Sequence, residues 1–149
     1  MNSVSVDQLQ ERVGQELGVS EPFRIGQDRI DTFADATEDH QWIHVDPERA
    51  RSGPFGGPIA HGYLTLSLIP HLLAQAFKVT GVRMGVNYGL NRLRFPSPVP
   101  AESSVQATFR LNDVKQVEGG VQVLVGFEVR VEGAPKPAAV GEAVYNYYV

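Results

Sequence analysis

Residues 62–77, GYLTLSLIPHLLAQAF, decide the fold. Leu64, Leu66, Leu68, Ile69, Leu72, Leu73, Ala76 and Phe77 leave almost no polar face, which predicts a helix buried on every side rather than one lying on a surface. Its length, about 16 residues, is too short for a membrane span. Pro70 removes one helical hydrogen bond and should bend or break the helix at that point. A helix this apolar needs a layer to wrap it, and the downstream chain supplies one. Residues 82–94, 103–115, 121–132 and 138–148 read as strands, with clear alternation through Val121–Val125 and Phe127–Val131 and a hairpin turn at Glu118-Gly119-Gly120. Pro96, Pro98 and Pro100 punctuate the connection between the first two, where ladder N–H groups are not required. The expected architecture is α+β: a single domain, residues 1–149, with one antiparallel sheet curled about one long buried α-helix.

Upstream of that helix, Val6, Leu9, Val13 and Leu17 recur at three and four residues and Ser5/Gln8 have capping-box spacing, which predicts an amphipathic N-terminal helix within residues 1–20, ended by Gly18. Phe23-Arg24-Ile25 is a short strand candidate. Residues 27–34 read as a helix with Ile30, Phe33 and Ala34 facing inward. Asp46 is an N-cap and Pro47 a first helical residue.

Composition narrows the function. A net charge of −4 with scattered Lys and Arg argues against nucleic acid as a partner. With no cysteine, disulfides, thiolate metal sites and cysteine nucleophiles are excluded. The start MNSVSVDQLQERVGQEL has neither a basic n-region nor an apolar h-region, and no long apolar run follows, so no membrane association and a cytoplasmic address are expected.

The chemistry concentrates in residues 33–62, FADATEDHQWIHVDPERARSGPFGGPIAHG, which hold three of the four histidines and two glycine-rich turns. Asp39 and His44 are five residues apart, a spacing that sets side chains about 140° apart on a helix and on opposite faces of a strand. They converge only if the chain turns between them, and Thr37 to Gln41 is a poor helix end while Trp42-Ile43 offers a bulky anchor. His40 and His44 are four apart, but with no helix expected there and no zincin glutamate beside them, no metal is expected. Neither a Gly-x-Ser-x-Gly elbow nor a P-loop occurs.

The segment resembles the signature of the MaoC-like dehydratases, the (R)-specific enoyl-CoA hydratases of the hot-dog fold. The resemblance runs from Phe33 and Thr37 through Glu38-Asp39-His40-Gln41-Trp42-Ile43-His44 to Ala50, and it covers the chain from about Phe23 to Val149. Glu38 replaces the family's glycine, Gln41 its asparagine and Trp42 its proline. A serine that some members carry eight residues after the glycine of His-Gly is Pro70 here. DHQWIHVDPERA, IAHG and NYGLNRLRFPSPVP look most like the NodN-like branch.

The resemblance implies a single hot-dog domain that hydrates trans-2-enoyl-CoA to (R)-3-hydroxyacyl-CoA reversibly, with coenzyme A as part of the substrate, no separate cofactor, and a homodimer. It marks Asp39 and His44 as the catalytic dyad; which of them first takes the proton is left open, because their titrations can be coupled. Gly62 opens the buried helix, so its N–H has no partner within that helix and can donate to the thioester oxygen. Trp42, His61 and Tyr63 are candidate substrate-binding residues, His61 as a residue that positions the turn. Asn87, Arg92 and Arg94 are candidates for holding the carrier phosphate. The alternatives are a hot-dog thioesterase and a non-catalytic module binding acyl or polyketide chains.

Overall fold

The apolar stripe at the N-terminus is buried as expected, but not by a helix. The computed structural model describes residues 2–149, so Met1, the first residue of the expected helix, lies outside the described residues. Residues Asn2–Ser5 form strand β1, Val6–Arg12 a 3-10 helix, and Glu16–Val19 strand β2. Ser5 makes no side-chain capping bond. Val6 and Leu9 enter the core from the 3-10 helix and Leu17 from β2. The Gly14 N–H donates to the Leu111 carbonyl at 2.7 Å, and β2 then pairs antiparallel along 108–110. Satisfying a neighbouring strand's backbone while burying the same leucine outcompetes the modest helix preference of this stretch. Gly18 therefore ends no helix. It lies in β2, where an added Cβ would stand 2.7 Å from the Ala76 carbonyl oxygen.

Strand β3 (Phe23–Ile25) and helix α1 (Gln27–Thr37) follow, then the short helices α2 (Trp42–Val45) and α3 (Pro47–Arg51). The stretch read as one buried helix is two, α4 (Gly62–Ser67) and α5 (Ile69–Ala76), broken at Leu68 with Pro70 in the first turn of the second, where its missing N–H costs nothing. Strands β4 (Phe77–Thr80), β5 (Met84–Arg94), β6 (Ser103–Val117), β7 (Gly120–Val131) and β8 (Ala139–Tyr148) complete the chain.

The main sheet is antiparallel in the order β2-β6-β7-β8-β5, with β3 sharing the β6 edge beside β2, and β1 pairs with β4 in a separate parallel ribbon. Between β2 and β3, Ser20 extends the ladder: its N–H donates to the Ala107 carbonyl at 2.8 Å, and its hydroxyl accepts from the Ala107 N–H at 2.9 Å. In β7 every second residue is buried, so Val121, Val123, Val125, Phe127 and Val129 line one face. That face joins Phe109, Leu111, Ile69, Leu72 and Ile30 in one core. β5 is different, exposed along nearly its whole length and hydrogen-bonded on one side only. Among the described residues no helix is long and apolar enough to cross a membrane.

Because β2 crosses α5 at a backbone-to-backbone approach, Gly18→Ala is expected to cost about 1–3 kcal/mol, the range for overpacking a tight contact. Urea denaturation monitored by circular dichroism measures it.

Candidate active site

The active-site segment begins where α1 stops. Its C-cap, Glu38, is in the left-handed region at φ 64°, and this turns Asp39 away from the helix axis. Beyond His40 and Gln41 the chain makes a single helical turn, α2, in a stretch expected to be irregular. The turn places His44, 7% exposed, against the core. Asp46 caps α3 as expected, its carboxylate accepting from the Arg49 N–H at 3.1 Å with Pro47 next in line. Trp42 anchors α2 on this outer layer: the Arg49 guanidinium lies 4.4 Å from its ring centre, and an added Cβ at Gly53 would approach the indole to 2.9 Å.

Two imidazole hydrogen bonds close the segment on itself. His44 Nδ1 lies 2.7 Å from the Ile59 carbonyl oxygen and His61 Nε2 lies 2.9 Å from that of Asp39. A carbonyl only accepts, so each of these nitrogens carries the proton. His44 is left with a lone pair on Nε2 and His61 with one on Nδ1. The ring centres of His44 and His61 are 3.9 Å apart with planes 24° apart, and the Phe33 ring packs 4.9 Å from His61, tilted by 57°. Asp39, His44 and His61 each bring a side-chain ligand atom within 4.8 Å of the other two, with Asp39 exposed and both histidines buried. The predicted turn between Asp39 and His44 therefore exists and brings the acid and the imidazole together.

Such a trio has the composition of a cation site. Stacking works against it. Imidazole binds metal close to its own plane, and two stacked rings with centres 3.9 Å apart and planes inclined by 24° do not aim their lone pairs at one nearby point.

Burial, the largest influence, pushes the His44 pKa below the ordinary histidine value of 6.5; the Ile59 carbonyl opposes it, His61 adds to it and Asp39 opposes it. The neutral ring with a free Nε2 is thereby favoured near neutral pH.

His44 opens onto a cavity of about 280 Å³ whose wall includes Phe55, Gly62, Thr65, Phe95 and Val99. Gly62 is the first residue of α4, and an added Cβ there would lie 2.7 Å from the Phe95 ring, so any other residue would push that ring aside. Tyr63, 68% exposed, faces outward beside Phe95. Trp42 is not part of this wall, and Asn87 lines separate grooves between α4–α5 and β5. Arg92 and Arg94 are exposed near the end of β5, just before Phe95. Sequence reasoning missed Phe55, Thr65 and Phe95. Thr65 alone left a signal, a polar residue in a largely apolar stretch, and Ser67, His71 and Gln75 carry the same signal without lining the cavity.

A family model for the MaoC like domain matches residues 8–132. The chain belongs to the MaoC-like dehydratase family. Among relatives of this MaoC-like chain is 3-hydroxyacyl-thioester dehydratase Z of Mycobacterium tuberculosis (strain ATCC 25618 / H37Rv), 51% identical over 144 residues that span 96% of this chain and 95% of that one. Nodulation protein N of Rhizobium leguminosarum bv. viciae is 48% identical over 134 residues, 89% of this chain and 83% of its own. A solved structure described as the (R)-hydratase from A. caviae involved in PHA biosynthesis matches with a TM-score of 0.72 at 27% identity, covering 89% of this chain and 96% of the other. At the glycine position of the MaoC-like signature this chain puts Glu38 in a left-handed conformation, which is costly for a residue with a Cβ.

Glu38→Gly is therefore expected to stabilise the protein by roughly 0.5–1 kcal/mol, seen as a rise in Tm. In a histidine NMR titration, His44 should titrate below 6.5. His40, raised chiefly by its hydrogen bond to Asp35, should titrate above it. Because His44 resists protonation only when folded, its contribution to stability is present above about pH 6.5 and is lost as pH falls from there towards its lowered folded value. Thermal melts at stepped pH should show that loss, and His44→Gln should remove it.

Proposed function

We propose that this protein hydrates trans-2-enoyl-CoA to (R)-3-hydroxyacyl-CoA and catalyses the reverse dehydration, as a cytoplasmic homodimer that needs neither a metal nor an organic cofactor. As a MaoC-like dehydratase the chain is a hydro-lyase. The observation that carries the substrate and dyad assignment is the meeting of the exposed Asp39, itself outside the cavity wall, with His44, which lines a cavity that also holds the start of α4 at Gly62.

Water adds to C3 of the enoyl thioester. His44 Nε2, whose lone pair is fixed by the bond from Nδ1–H to Ile59, takes one proton of that water as the C3–O bond forms. The Asp39 carboxylate accepts a hydrogen bond from the other O–H and so orients the attacking lone pair. The electron pair of the C2=C3 bond moves onto the thioester oxygen, which receives a hydrogen bond from the Gly62 N–H at the positive end of α4. The resulting imidazolium then returns its proton to C2, and the ring is neutral again. One water is consumed, its O–H retained at C3 and its proton delivered to C2. His61 holds the Asp39 backbone in place and stacks on His44. The carrier phosphate is assigned to Arg92 and Arg94, with Tyr63, beside Phe95, contacting the substrate further from the reacting atoms. Trp42 and Asn87 lie outside the cavity wall and are assigned no contact with it.

The free edge of β5 supports the dimer. Met84, Val86, Tyr88 and Leu90 are 48%, 38%, 66% and 42% exposed along a strand paired with β8 on one side and free on the other, a combination that a second copy would cover.

Asp39→Asn, and His44→Gln, whose amide can still donate to the Ile59 carbonyl, should fold normally and lower the hydration of crotonyl-CoA, followed by loss of enoyl absorbance, by at least about a hundredfold, the usual scale of acid–base effects. His44→Ala should lose the rate and also some stability, because that buried carbonyl loses its donor. Rates near wild type in Asp39→Asn and His44→Gln sink the dyad. Release of free thiol in step with the absorbance loss would indicate a thioesterase instead, since hydration frees none, and melting shifts with no turnover a binding module. The acid limb of kcat/KM should report the lowered His44 pKa, with a midpoint below 6.5. Light scattering should give twice the chain mass of 16.3 kDa, and Tyr88→Glu should shift the protein towards monomer.

A further inference from the structure

Thr65 is 1% exposed, and its Oγ1 is buried without a hydrogen-bond partner. Leaving a hydroxyl in that state is costly. The helices hold three other serine or threonine residues, and each satisfies its hydroxyl on the carbonyl four residues back: Thr32 to Asp28 at 2.9 Å, Thr37 to Phe33 at 2.8 Å and Ser67 to Tyr63 at 2.7 Å. For Thr65 the corresponding carbonyl, that of His61, already accepts from the Leu64 and Thr65 N–H groups at 3.0 and 3.2 Å. The hydroxyl is left over in a helix that elsewhere uses such groups.

Position decides what it is left for. Thr65 lies three residues after Gly62 on α4, and residues so spaced share one helix face, with Cβ tilted back towards the N-terminus. Its side chain thus overlies the turn that begins with the Gly62 N–H, and both residues belong to the wall of the cavity that His44 enters. Pro70, where some family members carry a serine, lines the grooves beside β5 instead.

We propose that Thr65 is the second oxyanion donor of this site, its hydroxyl donating to the thioester oxygen alongside the Gly62 N–H as negative charge develops there. The assignment rests on the hydration reaction proposed above and adds the group that completes its electrostatic half. Two donors on one turn would place the oxygen at the mouth of α4, and the unpaired hydroxyl of the free protein is the cost of having that donor ready.

The test compares wild type, Thr65→Val and Thr65→Ser for crotonyl-CoA hydration and for melting temperature without ligand. Valine has nearly the shape of threonine and lacks the hydroxyl. Thr65→Val should lower kcat about 10- to 100-fold, towards the effect of deleting one oxyanion donor, with KM within about threefold. Thr65→Ser should recover most of the rate. The ligand-free melting temperature of Thr65→Val should equal or exceed that of wild type, because an unsatisfied group has been removed. An unchanged kcat overturns the assignment, and so does a lower melting temperature, which would show the hydroxyl already bonded in the free protein. A wild type that hydrates no enoyl thioester overturns the reaction itself, a distinct outcome.

Discussion

Two hydrogen bonds from imidazole to main chain hold the functional part of this molecule in shape. Through His44 to Ile59 and His61 to Asp39, joined by the Ile59 N–H donating to the Ile43 carbonyl at 3.0 Å, the outgoing and returning limbs of residues 39–61 are tied together across a stretch of short helices whose strand pairing is an isolated bridge from Ile59 to Pro100. Each bond also fixes which ring nitrogen keeps its lone pair. A structural tie and a protonation state are set by the same contact, so the His44 Nε2 lone pair is available without rearrangement.

The layer beneath explains why the tie can be so short. α4 and α5 are gripped by the concave face of the sheet through Ile69, Leu72, Phe109 and the alternating valines of β7. The entrance to α4 is thereby fixed relative to β6–β8, and the loop needs only to reach it. The break at Leu68 separates two tasks: α5 fills the core, while the six residues of α4 present Gly62 and Thr65 to the cavity. Burial of His44 against this framework lowers its basicity enough to keep it neutral, and the exposed Asp39 stays where water can reach it.

Departures from the family signature become intelligible in this setting. Glu38 occupies a left-handed cap that suits glycine, so the turn is kept by its surroundings and not by the residue's own preference. Trp42, standing where the family has proline, is held between Arg49 and Gly53 on the outer layer, and the change leaves the Asp39–His44 meeting intact.

The apolar helix, its break near Pro70, the four long strands and the hairpin between two of them were legible in the residues alone, because each is a local pattern: for the helix, β6, β7 and β8 one with a single way to be buried, for the exposed β5 one bounded by turn residues. The sequence also named Asp39, His44 and Gly62 through a motif whose spacing survives substitution. Only the tertiary structure decided the N-terminus, where the backbone of β6 offered partners that made Leu17 a strand residue although its stripe had helical period. The same holds for the pairing of His61 with the Asp39 carbonyl, the stacking on His44 and the orphaned hydroxyl of Thr65. These depend on which atoms from distant segments arrive at one place, and local periodicity carries no record of that.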